Sequence, residues 1–374
     1  MRILHTSDLH IGKRLNDVNL IEDQKYVLEQ IINIAENQKC DAVIIAGDVY
    51  DKSNPSAEAM TLFNDFIMSL SERKIPVYII SGNHDSQERV AYFSGFARNM
   101  GVYISDGCKE TPDVYTLEDE YGKVNICLLP FIKPVEARRI LPDRKIETYE
   151  DAVRELISNV EINESERNIM VCHQYVTGAS LCDSEELAIG GLDNISAELF
   201  DKFDYVAMGH IHGPQKIKRE TLRYSGSPLK YSFSEANHKK SVTIADFKEK
   251  GEITVTTAPL ELLHDVREVK GGLVQLMDMP YSEDYVRVTV TDENVVPDAR
   301  ISLLTVFPNM MKFAVENSKT AGQAEEIELS SVEDRSPTEL FCDFYKFVNN
   351  NEPPTQEHIA LFNEAMEGLG EDKK

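Results

Sequence analysis

Through its first 260 residues the chain repeats one pattern: a short apolar run, a polar loop, then a stretch whose apolar residues recur every three or four positions. "MRILHTSD" reads as a strand, and "LIEDQKYVLEQIINIAENQKC" as a helix with Val27, Leu28, Ile31, Ile32 and Ala35 on one face. "DAVIIAGD" is a continuous apolar strand, "SAEAMTLFNDFIMSLSERK" another helix and "IPVYIISGNHD" another strand. The succession is βαβαβ, which predicts a mostly parallel sheet with helices on its faces. Further runs, "KVNICLLP", "NIMVCHQY", "DYVAMGHIH", "LRYSGSP" and "KSVTIADF", follow, the later ones closely enough for antiparallel pairing. The expected fold is therefore α/β, a two-sheet α/β sandwich rather than a simple doubly wound sheet.

The pattern changes near residue 260. "DYVRVTVTDENVVPDARISLLTVFPNMMKFAVEN" reads strand, helix, strand, with Val286, Val288 and Val290 alternating and no histidine. A small α+β capping domain is expected over residues 261–333, after a larger domain over 1–260. Residues 334–374 predict C-terminal helices: Ser336 suits an N-cap, Pro337 the first helical position, and Leu340, Phe341, Phe344, Phe347 and Val348 form one apolar stripe. "PPTQEHIALFNEAMEGLG" predicts a short helix ending at a glycine. Helices this apolar need a surface to cover.

Composition narrows the class. Hydrophobic content of 42% and charged content of 28% over 374 residues are those of a soluble globular protein. No apolar run approaches the roughly 18 residues that span a bilayer, and "MRILHTSD" lacks a signal-peptide core, so the expectation is a cytoplasmic protein with no membrane segment. The six cysteines form no CxxC pair; they read as reduced thiols and argue against zinc-finger chemistry. A net charge of −25 and a pI near 4.8 oppose a protein that grips phosphate backbones by its overall field.

Chemistry-bearing residues gather just past the apolar strands. "RILHTSDLH" supplies Asp8 and His10, "VIIAGDVYD" Asp48 and Asp51, and "VYIISGNHD" Asn83, His84 and Asp85. "IMVCHQY" supplies His173, and "YVAMGHIH" supplies His210 and His212. Taken singly, each is also what a hydrogen-bonded core histidine or a Gly-Asn turn looks like. Together they share one structural register, and six of the nine histidines fall within them. In open α/β sheets functional groups collect at the carboxyl ends of the strands, so these residues can converge on one crevice as an N/O metal site.

The order D-x-H, G-D-x-x-D, G-N-H-D, H, G-H-x-H resembles the calcineurin-like metallophosphoesterases across residues 1 to about 255. "TSDLHIGK", "AGDVYD", "SGNHDS", "GHIHGPQ", "YSGSPLKYSFSE" and "DVREVKGG" further resemble the SbcD family of bacterial DNA nucleases, nearly end to end. Carried over by motif, the resemblance implies that Asp8, His10 and His212 hold one metal ion, that Asn83, His173 and His210 hold a second, and that Asp48 bridges both. It implies Mn²⁺ as the usual ion, with Fe or Zn²⁺ also suited to imidazole and carboxylate donors. His84 is then the non-ligand histidine that stabilises the transition state or protonates the leaving oxygen, with Asp51 orienting it. Asp85 is expected to cap the following helix, the alternative being a metal contact. With "GHIH" extended, His210 and His212 would face the crevice while Ile211 turns into the core.

The implied activity is phosphodiester hydrolysis by metal-activated water, as a double-strand DNA exonuclease and single-strand or hairpin endonuclease. The implied partner is an SbcC-like, SMC-type coiled-coil ATPase, in a complex of two nuclease and two ATPase subunits, with the nuclease subunit homodimerising through its first helices. Leu340, Phe341, Phe344 and Phe347 have the helix-in-groove character of a segment docking on such a coiled coil; the alternative is packing on the capping domain. Lys13, Arg14, Lys216, Lys218, Arg219, Arg223, Lys230, Lys239 and Lys240 fall in loops after the motifs and form a candidate DNA-contacting rim; each is equally readable as a solvated charge. Tyr231 and Phe233 read as loop stabilisers in preference to residues packing on the sugar, and the acidic segment 178–191 as a lid or a disordered loop. Two other classes share the motifs: a small-molecule phosphodiesterase or phosphatase, and a non-catalytic architectural partner of the ATPase. Residues 265–374, which a simple phosphatase does not need, favour the nuclease.

Overall fold

A computed structural model describes residues 1–185, 193–294, 298–317, 338, 341, 342, 345, 346 and 353–371. It divides into two compact units, Met1–Val266 and Arg267–Lys374.

The first unit carries two six-stranded sheets. In chain order the strands are β1 (Arg2–Thr6), β2 (Ala42–Ala46), β3 (Val77–Ile80), β4 (Val102–Ile104), β5 (Asp113–Asp119) and β6 (Gly122–Leu129). They continue with β7 (Arg167–His173), β8 (Tyr205–Gly209), β9 (Gln215–Ile217), β10 (Arg219–Tyr224), β11 (Ser241–Phe247) and β12 (Ile253–Pro259). One sheet has the order β12-β11-β1-β2-β3-β4, parallel from β1 to β4 and antiparallel across β11 and β12. The other has the order β9-β10-β8-β7-β6-β5, parallel from β10 to β6 with an antiparallel pair at each edge.

Period-two side-chain alternation builds the layers. Ala42, Ile44 and Ala46 join Ile126, Ile169, Ala207 and Phe247 in a core between the sheets. Val43 and Ile45 face the other way, into a core with Leu28 and Ile31 of α1 (Ile21–Asn37) and Phe63 and Phe66 of α2 (Ala57–Glu72). On the second sheet, Met170 and Met208 pack with Val153 and Leu156 of α3 (Tyr149–Ser158). The result is the two-sheet α/β sandwich expected from the pattern. Buried Arg167, 2% exposed, bonds Asp119 at 3.1 Å, the Gly122 carbonyl at 2.6 Å and the Lys248 carbonyl at 3.0 Å, while the Met1 ammonium meets Asp119 at 2.8 Å.

In the second unit, β13 (Val266–Gly271), β14 (Tyr285–Val290) and β15 (Met310–Val315) form a sheet in that order, β14 and β15 parallel. Leu276 and Leu303, from the short helices α4 (Leu273–Met277) and α5 (Ala299–Leu303), pack on Val286, Val288 and Val290. The alternation of those valines is the one read from the sequence. The C-terminal helix α6 spans Gln356–Glu371. Phe341 stacks on Phe362 with ring centroids 4.3 Å apart, whereas Leu340, Phe344 and Phe347 lie outside the described residues. Among the described residues no helix is long and apolar enough to cross a membrane. All six cysteines are free.

Candidate metal centre

Five strands of the first unit end in one crevice. Asp8 and His10 follow β1, Asp48 follows β2, Asn83 and His84 follow β3, His173 ends β7 and His210 follows β8. The first two loops are clipped together by the main chain: Asp8 N donates to Gly47 O at 3.0 Å, His10 N to Asp48 O at 3.0 Å and Ile11 N to Val49 O at 2.9 Å. Four of the seven expected ligands adopt left-handed backbone: Asp8 (φ 52°), His10 (42°), Asp48 (49°) and His210 (99°). Such conformations cost non-glycine residues about 1–3 kcal/mol each and cluster where function holds the chain. A Cβ on Gly82 would stand 2.1 Å from Asp48 Oδ1, so only glycine lets the β3 loop approach that carboxylate.

Extended alternation does not place the two histidines of "GHIH". The strand ends at Gly209, and the positive φ at His210 turns the chain. Ile211 is fully buried in the core beside the second sheet, and both imidazoles still reach the crevice. The outcome matches the expectation while its cause differs.

The donor atoms converge. His10 Nε2 faces His212 Nε2 at 3.1 Å. His173 Nε2 lies 3.2 Å from Asp48 Oδ2 and 3.1 Å from Asn83 Oδ1, which is itself 2.9 Å from His210 Nδ1. Asp8 accepts from the His210 main-chain N–H at 2.9 Å and from Ser7 Oγ at 2.5 Å. Asp8, His10 and His212 can offer atoms all within 4.8 Å of one another, and so can Asp8, Asp48 and His173. His173 Nδ1 lies 2.8 Å from the Ala46 carbonyl, an acceptor only; Nδ1 is therefore the donor, and Nε2 turns its lone pair inward when the ring is neutral. Buried lone pairs from imidazole, carboxylate and amide oxygen facing one another are relieved by cations. The set fits two divalent metal ions.

The electrostatic environment differs from one expected ligand to the next. Burial opposes charge on His173, yet Asp48, by charge and hydrogen bond, and Asp8 raise its pKa to about 9. Burial would raise Asp48, but His173 and His10 hold it well below the usual carboxylate range. Burial raises Asp8 above that range, and burial lowers His10 far below an ordinary imidazole and His210 to about 3. Burial therefore favours the neutral forms of His10 and His210, while the neighbouring carboxylates favour charge on His173 and His212. Neutral imidazoles and ionised carboxylate are the forms that ligate metal.

Other expected residues fall differently. His84 donates its main-chain N–H to Asp48 Oδ1 at 3.0 Å, and its Nδ1 lies 3.2 Å from the main-chain carbonyl of Asp51. The Asp51 carboxylate meets Lys13 Nζ at 2.7 Å and His10 Nδ1 at 3.9 Å, and it is the Asp51 main-chain carbonyl that stands against the His84 ring. Asp85 does not cap a helix; Ser86 does. The Asp85 carboxylate accepts from Val49 N at 3.0 Å, Tyr50 N at 2.9 Å and Gly82 N at 2.9 Å, joining the β2 and β3 loops. Burial and the nearby Asp48 raise its pKa to about 6.

Among the basic residues, Lys230, Lys240 and Arg223 are buried, Lys230 donating to the Ala236 carbonyl at 2.6 Å and pairing with Asp265 at 2.7 Å and Lys240 pairing with Glu235 at 2.5 Å, so these three do not stand on a rim. Arg14 is exposed, and Lys216 and Lys218 are exposed in ion pairs with Glu220 and Glu198. Tyr231 is buried, its hydroxyl donating to Leu9 O, and Phe233 is buried too. Lys13 lines an open depression of about 690 Å³ with Asp51, Lys52, Ser53, Asn54 and His84. Sequence reasoning passed over Lys52, although it directly follows G-D-x-x-D, and also over Glu235, whose contact with His212 spans 23 residues.

The calcineurin-like phosphoesterase profile matches residues 1–214, and the chain belongs to that family. The profile of the type 5 capsule protein repressor C-terminal domain matches residues 262–349. The SbcD subunit of the nuclease SbcCD from Staphylococcus epidermidis is 33% identical over 368 residues, covering 96% of this chain and 95% of that protein. Among solved structures, a dimetal phosphatase from Danio rerio is 10% identical (69% of this chain, 95% of that chain, TM-score 0.41). A protein of Thermus thermophilus is 14% identical (68% and 98%, TM-score 0.38). Likeness at those scores does not bear on function.

Proposed function

We propose that the chain is the nuclease subunit of a DNA-processing complex and cleaves DNA phosphodiesters at a dinuclear centre, with Mn²⁺ as the working ion. The observation that carries the reading is similarity over 96% of the chain to a nuclease subunit, joined to a set of seven metal donors of which six are buried and Asn83 is half-buried. Asp8, His10 and His212 would hold one ion, Asn83, His173 and His210 the other, and Asp48 both. Two divalent ions bound there supply Lewis acidity to a phosphate and acidify a nucleophilic water. The chain's own work is orientation. His173 and His212 keep their inner nitrogens turned to the crevice, and His84, held by Asp48 and the Asp51 peptide, stands at the open depression where it can give a proton to the leaving oxygen.

Lys13 and Lys52 at the same depression, with Arg14, Lys216 and Lys218 further out, would meet the phosphate backbone. A net charge of −25 leaves most of the grip on DNA to a partner, read here as an SbcC-like coiled-coil ATPase docked by residues 334–374 beyond the capping domain 261–333. A homodimer of the nuclease subunit completes the assembly. Tyr92, Phe93 and Phe96, 77%, 59% and 75% exposed, make the kind of apolar cluster that marks an interface. The complex would work in the cytoplasm, in DNA repair and recombination.

The test is purified protein with Mn²⁺ on linear duplex DNA and on a chromogenic bis-phosphodiester, with and without the ATPase. Cleavage of both substrates is expected. Hydrolysis of the small ester with DNA uncut even beside the ATPase would replace the nuclease by a small-molecule phosphodiesterase.

A further inference from the structure

His212 is fastened from outside the metal centre by groups in none of the strand-end motifs. Its Nδ1 lies 3.0 Å from Ser184 Oγ and 3.2 Å from Glu235 Oε1, and its main-chain N–H donates to Glu185 Oε1 at 2.8 Å. Ser184 Oγ donates to Glu235 Oε1 at 2.6 Å. A hydroxyl has one proton, so with that proton on Glu235 the Ser184 oxygen is an acceptor for His212, and Nδ1 must carry hydrogen. Nε2 is thereby left to face His10 at 3.1 Å.

Glu235 is fixed in turn. Its Oε2 takes the Lys240 ammonium at 2.5 Å, both side chains being 0% exposed, and Tyr231 N donates to Oε1 at 3.2 Å. Lys240 also donates to the His212 carbonyl at 3.0 Å and to Ser227 Oγ at 2.8 Å. A buried ion pair brings little net stability over apolar residues of the same volume, so its use here is geometric. Cys182, His212 and Glu235 also approach closely enough to suggest a separate metal site, but Ser184 Oγ sits among them, 2.9 Å from Cys182 Sγ, and satisfies the group as a hydrogen-bond network.

We propose that Glu235 is a positioning residue: with Ser184 and Lys240 it fixes the tautomer and rotation of His212, presenting Nε2 to the ion shared with Asp8 and His10. The inference rests on the dinuclear reading above.

It is tested by titrating the full chain with Mn²⁺, counting bound ions and recording EPR spectra. The parent should bind two ions as a coupled pair. Glu235→Gln should weaken one ion about 10–100-fold, the usual effect of removing a ligand's outer partner, and leave the other as an isolated centre. Ser184→Ala, which keeps the buried ion pair, should shift the same ion in the same direction by less, with unchanged far-UV CD. Should Glu235→Gln not fold, Ser184→Ala decides alone. Parental affinity for both ions in the folded variants overturns the proposal while leaving the dinuclear reading intact, and so does equal weakening of both ions, which marks a general structural role. A parent that binds fewer than two ions fails the dinuclear reading first.

Discussion

Asp51→Asn and His84→Ala should behave very differently, although the two residues touch. The ring of His84 is held by the Asp51 peptide oxygen at 3.2 Å, which the asparagine retains. What Asp51→Asn removes is the negative charge that faces Lys13 at 2.7 Å and, more distantly, His10 Nδ1 at 3.9 Å. A partly exposed ion pair of that kind contributes about 1 kcal/mol or less, so the rate should fall no more than about fivefold. His84→Ala removes a proton donor at the leaving oxygen and should cost about 10²–10⁴-fold, or about 3–5 kcal/mol of transition-state stabilisation. Initial rates on duplex DNA and on the small diester, taken with bound metal counted, separate the two. Equal losses in both variants at full metal content would mean that the Asp51 carboxylate orients His84 after all. Loss of metal from His84→Ala would make His84 a ligand, a role its approach to His10 and Asp48 within 4.8 Å permits.

Gly82→Ala puts a Cβ 2.1 Å from Asp48 Oδ1; urea unfolding should show destabilisation of about 2 kcal/mol or more, with reduced metal content, and parental values would contradict the packing argument. Arg167→Met leaves Asp119 with the Met1 ammonium alone as its cationic partner and strips the carbonyls of Gly122 and Lys248 of a buried donor, and should cost about 2 kcal/mol by urea unfolding. The hydrogen bond from Arg167, with help from the Met1 amine, holds the Asp119 carboxyl below its usual range. Its stabilising contribution is therefore complete above a pH of about 4 and is lost as pH falls further, so the stability gap between parent and Arg167→Met should narrow from pH 7 to pH 3. Lys230→Gln should lower the melting temperature yet leave the salt dependence of DNA binding unchanged, because its ammonium is spent on Asp265 and Ala236; a flatter salt slope would return it to the rim.

The sheets were legible in the sequence because a buried run such as β2 alternates between two cores, Val43 and Ile45 to one side and Ile44 and Ala46 to the other, within an element bounded by Asp and Gly. The crevice was legible because parallel strands release their chemistry at one end, which ordered Asp8, Asp48, Asn83, His173 and His210 without any knowledge of distance. What the sequence hid was the local backbone and the remote partner. A φ of 99° at His210 is not the conformation that its strand context favours. The helix-start pattern after "GNHD" suits a cap at Asp85 as well as at Ser86, and only the folded loops reveal three peptide N–H groups aimed at Asp85. Lys230 looked like a loop lysine until Asp265 and two main-chain carbonyls closed around it.

The central claim is the division of seven side chains between two ions, and anomalous diffraction from Mn²⁺-loaded crystals tests it directly. Two peaks about 3.5–4 Å apart are predicted, one against Asp8, His10 and His212, the other against Asn83, His173 and His210, with Asp48 touching both. A single peak, or a second ion held by other residues, would contradict the account.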